Sequence, residues 1–96
     1  MHLEKAKQRI AKKVKMGFQG YPTIGITYFG PNEGLATGVS LEFVSEEGAE
    51  PQTENFATES DIREDETIQS AMVKIIERSG AQSVTLSEGV KCKPVE

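Results

Sequence analysis

The stretch Asp61–Gly80, DIREDETIQSAMVKIIERSG, limits what this chain can fold into more than any other. Ile68, Ala71, Met72, Ile75 and Ile76 recur at three- and four-residue spacing, so a helix formed here has one apolar face. The chemistry of both ends agrees. Asp61 is expected as the N-cap, with Glu64 three residues on to complete a capping box. Glu64, Asp65 and Glu66 put carboxylates in the first turn, at the positive end of the helix dipole. Lys74 and Arg78 lie towards the other end, and Gly80 suits the left-handed C-cap. An amphipathic helix of this kind needs an apolar surface beneath it.

Alternating segments on either side supply that surface. In Thr23–Phe29, TIGITYF, Ile24, Ile26 and Tyr28 share one face, and Thr23, Gly25, Thr27 and Phe29 share the other. Leu35–Val44 alternates in the same way, with Leu35, Val39, Leu41 and Phe43 pointing together. The intervening GPNEG is a turn, so the two runs predict an antiparallel hairpin with one buried face. It is not a phosphate-binding loop, because no Lys-Ser/Thr follows. The acidic segment 45–60 predicts a turn at Glu46–Pro51 and a short strand at Thr53–Thr58 anchored by Phe56; a mobile segment is the competing expectation. Ser83–Ser87 predicts a last strand, after which Glu88-Gly89 turns the chain into a tail over 88–96.

The chain opens with a second helical pattern. From His2 to Met16, Leu3, Ala6, Ile10 and Val14 form a narrow apolar stripe, with Lys5, Arg9, Lys12, Lys13 and Lys15 spread around the remainder. Gly17-Phe18-Gln19-Gly20 ends it, and Tyr21-Pro22 prevents continuation. The expectation is a single α+β domain over 1–96 in two layers. An antiparallel sheet of three to four strands carries both helices on one face, in the order αβββαβ.

The first five of these elements have an order similar to that of double-stranded-RNA-binding domains. Those domains place lysines at the start of their second helix, where this chain has Glu64-Asp65-Glu66, which would repel phosphate. Their binding mode does not carry over, and the chain is assigned to no family. The GFQG turn likewise resembles the backbone-clamping GxxG loop of KH domains. That loop joins two helices, whereas a strand is expected after Pro22.

Charge is the main functional cue. Residues 1–16 carry six Lys/Arg against Glu4 alone, whereas ten of the fifteen acids fall between Glu42 and Glu66, within a net charge of −4. The basic helix therefore either seeks an external anion or packs beside the chain's own acids.

Catalytic constellations are lacking. His2 is the sole histidine and sits at a terminus, while Cys92 lies far along the chain between two lysines that favour its thiolate. One His and one Cys do not make a zinc site. The acids do not have the spacing of an EF-hand loop. No enzyme activity, cofactor or metal is expected. With one cysteine, no run of about 20 apolar residues and no apolar leader, the expected setting is cytoplasmic, away from membranes.

Two functions follow as expectations. The first is a small interaction module that docks a protein partner or pairs as a homodimer, partly because the hairpin's outer edge is available. The second is nucleic-acid binding, RNA before DNA, through Lys5, Arg9, Lys12, Lys13 and Lys15, with Gly17 and Gly20 of the turn and Phe29 beside them. Tyr21, Tyr28 and Phe29 are candidates for a base-stacking platform, against which parity argues by sending Tyr28 to the core.

Overall fold

The structure, a computed structural model, describes residues 2–92, with every side chain in that range except those of Glu88 and Cys92. Helix α1 (Leu3–Met16) leads into strand β1 (Thr23–Gly30), followed by β2 (Gly38–Val44) and β3 (Gln52–Ala57). A 3-10 turn (Ile62–Glu64) then precedes helix α2 (Glu66–Ser79) and strand β4 (Ser83–Cys92). The four strands form one sheet in the order β3-β2-β1-β4. Its first two pairings are antiparallel, and β4 runs parallel to β1. The architecture is the expected α+β domain.

Strand β1 sets the layers. Its residues alternate between half-buried and buried, with Ile24, Ile26 and Tyr28 on the inner side. Val39 and Leu41 of β2 and Val84 and Val90 of β4 join them in one core. Both helices enter that core from the same side, α1 through Ala6 and Ile10 and α2 through Met72, Val73 and Ile76. Thr23, Gly25, Thr27 and Phe29 lie on the opposite side of the sheet and are half-buried.

Four local expectations are corrected. The second helix begins one turn later than its acids suggested. Asp65 is the N-cap and accepts from the Ile68 N–H at 3.0 Å. Asp61 caps only the 3-10 turn, accepting from the Arg63 N–H at 3.0 Å and from the Arg63 guanidinium at 2.9 and 2.6 Å. No capping box forms, because Glu64 reaches across to Lys7 instead. The buried side of α2 is also turned relative to expectation. Gln69 and Val73 are buried with Met72 and Ile76, while Ile68, Ala71 and Ile75 are half-buried.

The second strand starts at Gly38, not Leu35. Asn32–Leu35 closes a tight turn, with the Gly34 N–H on Asn32 Oδ1 at 2.9 Å and the Leu35 N–H on the Asn32 carbonyl at 3.2 Å. The turn folds back on Gly30, where an added Cβ would collide with the Leu35 carbonyl. Ala36 is thereby pulled into the core, and its carbonyl accepts from the Ile62 N–H at 2.6 Å. Tertiary contact with the 3-10 turn overrides a local alternation here.

The last strand does not turn at Glu88-Gly89. Between the pairs Ile26↔Leu86 and Tyr28↔Val90, β4 advances four residues while β1 advances two. The surplus is even, so Val90 returns to the face of Val84. Gly89 takes the positive φ of 68° within this bulge. Of the tail expected over 88–96, residues 88–92 belong to β4 and 93–96 lie outside the described residues. Segment 45–60 contains the expected turn, with the Ala49 N–H on the Glu46 carbonyl at 3.0 Å, and then β3.

Removing the true cap should therefore cost more than removing the apparent one's partner. Asp65→Ala is expected to lower unfolding free energy by about 0.5–2 kcal/mol in urea titration, with Glu64→Ala well below it. The Arg63 guanidinium holds the Asp61 carboxyl down at about 2, from an ordinary value of 3.8. A carboxyl lowered in the folded state stabilises above its unfolded value and stops doing so as pH falls through its folded one. Urea midpoints should accordingly fall between roughly pH 4 and pH 2, and less steeply in Asp61→Asn.

Candidate functional site

Helix α1 is held by a narrow stripe. Only Ala6 and Ile10 are buried; Leu3 and Val14 flank them, half-buried. A helix seated this way leaves ground uncovered on both flanks. On the α2 side, a cleft of about 430 Å³ has Ile10, Val73 and Ile76 as its floor and Met16 at one end. Its rim carries Arg9, Lys12, Lys13 and, from α2, Glu77.

Two ion pairs show how far α1 is neutralised internally. Lys7 Nζ lies 3.0 Å from Glu64 Oε1, and Arg9 Nη1 lies 2.9 Å from Glu77 Oε1. The contact with Glu64 raises the Lys7 pKa. Both pairs are exposed, so each contributes little. Only Glu64 belongs to the acidic Glu42–Glu66 segment; Glu77 lies beyond it. Among the described residues, Lys5, Lys12, Lys13 and Lys15 form no ion pair. The basic helix is thus partly paired and partly open.

The GFQG turn is committed to the fold. The Gly17 N–H caps α1 on the Val14 carbonyl at 3.1 Å, and the Gln19 N–H donates to Ser83 Oγ at 2.7 Å. Ser83 Oγ in turn donates to the Gly20 carbonyl at 2.7 Å. The backbone N–H groups of Gly17 and Gln19 therefore already have acceptors.

Lys5, Arg9, Lys12, Lys13 and Lys15 all lie on α1 but divide between its flanks, with Arg9, Lys12 and Lys13 towards α2 and Lys15 towards β4; Gly17 is at the helix end and Gly20 just beyond. Phe29 does not join them, because its parity in β1 sends it to the far side of the sheet. The stacking trio is dispersed for the same reason. Tyr28 is buried under the helices, whereas Tyr21 is exposed and packs edge-to-face on Phe18, with ring centroids 5.6 Å apart.

Sequence reasoning missed an exposed apolar run that starts at the cleft's Met16: Met16, Phe18 and Tyr21 are all open to solvent, Phe18 at 65%. Only the crowding of three large apolar residues into a turn could have signalled it. Among the described residues, no three His, Cys, Asp or Glu side chains group as a metal site. His2 is exposed and makes no side-chain cap bond, and the Cys92 side chain is not among those described. Among the described residues, no helix is long and apolar enough to cross a membrane. No protein-family model, curated protein or solved structure matches the chain.

If the ion pairs only steady the helix, deleting either should barely matter to stability. Arg9→Ala and Lys7→Ala are each expected to change unfolding free energy by at most about 1 kcal/mol in urea titration. Ile10→Ala, which empties the buried stripe, should cost about 2–5 kcal/mol in the same measurement.

Proposed function

We propose that this domain is a non-catalytic interaction module whose α1–α2 cleft receives an acidic amphipathic helix of a partner protein. One observation carries the reading. The cleft has an apolar floor of Ile10, Val73 and Ile76 beneath a rim on which Lys12 and Lys13 have no acid partner among the described residues. An apolar stripe between carboxylates is the complement of that surface, and helix-in-groove docking uses such a stripe. Met16 and the Phe18–Tyr21 pair adjoin it in sequence and offer the kind of large apolar anchors on which interfaces concentrate their energy. A cytoplasmic setting belongs to the same proposal and rests on the single cysteine.

A second reading, nucleic-acid binding, draws on Lys5, Lys12 and Lys15, which are exposed along α1 and unpaired among the described residues. It has less behind it. The turn's amides at Gly17 and Gln19 are occupied, Phe29 lies on the other side of the sheet, and the net charge of −4 opposes polyanions.

The two readings separate by calorimetry and gel retardation on the whole chain. An amphipathic helical peptide with a Glu-rich polar face should bind, and its Lys-rich counterpart should not. Lys12→Glu combined with Lys13→Glu should weaken binding about tenfold or more. No binding of the acidic peptide, or equal binding of both peptides, overturns the proposal. Retardation of RNA with a log–log salt slope of about −2 would instead support the second reading, since each phosphate neutralised contributes about 0.7–0.9. Light scattering that finds a dimer broken by the same double reversal would reassign the cleft to a second copy.

A further inference from the structure

The other flank of α1, facing β4, holds a separate cleft of about 470 Å³ that shares only Ile10 with the first. Ile10, Val14 and Leu86 give it apolar walls, and Leu86 is left 43% exposed there. Tyr28 also lines it, although the residue is only 8% exposed. The Tyr28 hydroxyl accepts from Gln69 Nε2 at 3.2 Å. The same nitrogen donates to the Ile62 carbonyl at 3.1 Å, so both amide hydrogens are used and the nitrogen cannot accept in return. Among the described residues, nothing accepts the hydroxyl proton of Tyr28.

A buried donor without an acceptor is uncommon, because such a group forfeits the hydrogen bond it had in water. Burial raises the Tyr28 pKa, so the group stays a protonated donor at neutral pH. Charges of both signs lie near it, and Asp61 acts to raise the Tyr28 pKa further. Lys7 and Arg63 both lower the Tyr28 pKa from nearby, but each is already paired, with Glu64 and Asp61. Lys15, exposed at the rim, has no ion partner among the described residues. A donor beneath apolar walls, with Lys15 as an unpaired cation on the rim, complements an anionic acceptor attached to a hydrocarbon body.

We propose that the cleft between α1 and β4 binds a small amphipathic carboxylic acid. Its carboxylate accepts the Tyr28 hydroxyl proton and faces Lys15, while its hydrocarbon part lies on Ile10, Val14 and Leu86. Glu64 lines the same cleft. Its charge is balanced by Lys7, so the incoming carboxylate meets Lys15 and Tyr28 without net repulsion.

The test is an amide chemical-shift titration of the whole chain with sodium octanoate, with 1-octanol as the uncharged control. Octanoate should shift Val14, Lys15 and Leu86 saturably and bind more tightly than octanol. Tyr28→Phe, which keeps the ring and removes only the hydroxyl, should weaken octanoate about tenfold, the scale of a hydrogen bond to a charged group. Lys15→Glu at the exposed rim should also weaken it, and this variant serves if Tyr28→Phe fails to fold. Absence of saturable shifts, equal affinity for octanol, or octanoate affinity unchanged by either variant would overturn the proposal. Because the first cleft shares only Ile10, an acidic peptide that still binds Tyr28→Phe would separate this outcome from the interaction-module reading.

Discussion

The rest of the domain depends on burying one row of β1. Ile24, Ile26 and Tyr28 lie on an inner strand with neighbours hydrogen-bonded on both sides, and only the helices can shield them from water. Each such side chain is worth about 1.5–3 kcal/mol when removed from solvent. That demand brings α1 and α2 to one side of the sheet and leaves the other side to threonine, serine, glycine, Phe29, Glu42 and Val44. It also explains the crossover from β3 at one edge to β4 at the other, which carries α2 over the core.

The two helices meet this demand unequally. α2 buries four residues, Gln69, Met72, Val73 and Ile76, at the spacing of one continuous helical face. α1 buries two, and one of them is alanine. A helix seated on so thin a stripe is positioned by the sheet but leaves the surface beside it open. Both clefts described above arise from that imbalance. Their chemistry differs because the two flanks of α1 meet different neighbours: the apolar face of α2 on one side, Tyr28 and Leu86 on the other.

Charge follows the same geometry. The lysine-rich helix and the acid-rich middle of the chain do not collapse onto each other as blocks. Among the described residues, ion pairing is limited to Lys7–Glu64, together with the Arg9–Glu77 pair to α2, and both pairs are solvent-exposed. Such pairs orient a helix without contributing much stability. Positive charge is therefore left on α1 in a chain that is acidic as a whole, and that leftover charge gives the helix surface its functional interest.

The sequence alone determined the element types, their order and the inner row of the hairpin, because these depend on local periodicity: period two in TIGITYF and LATGVSLEFV, near 3.6 in both helices. It also placed the lysines on α1, with Glu4 as that segment's one acid, and left open which of them would be paired. Tertiary structure alone decided where α2 begins, since Asp61 and Asp65 are equally good caps until Arg63 and Ala36 engage Asp61. Only the folded chain could likewise show that β4 lies parallel against β1, that Leu35 and Ala36 leave the strand, and that Gln69 meets Tyr28. Those features join residues tens of positions apart, 41 in the last case, and no local pattern records a contact over that separation.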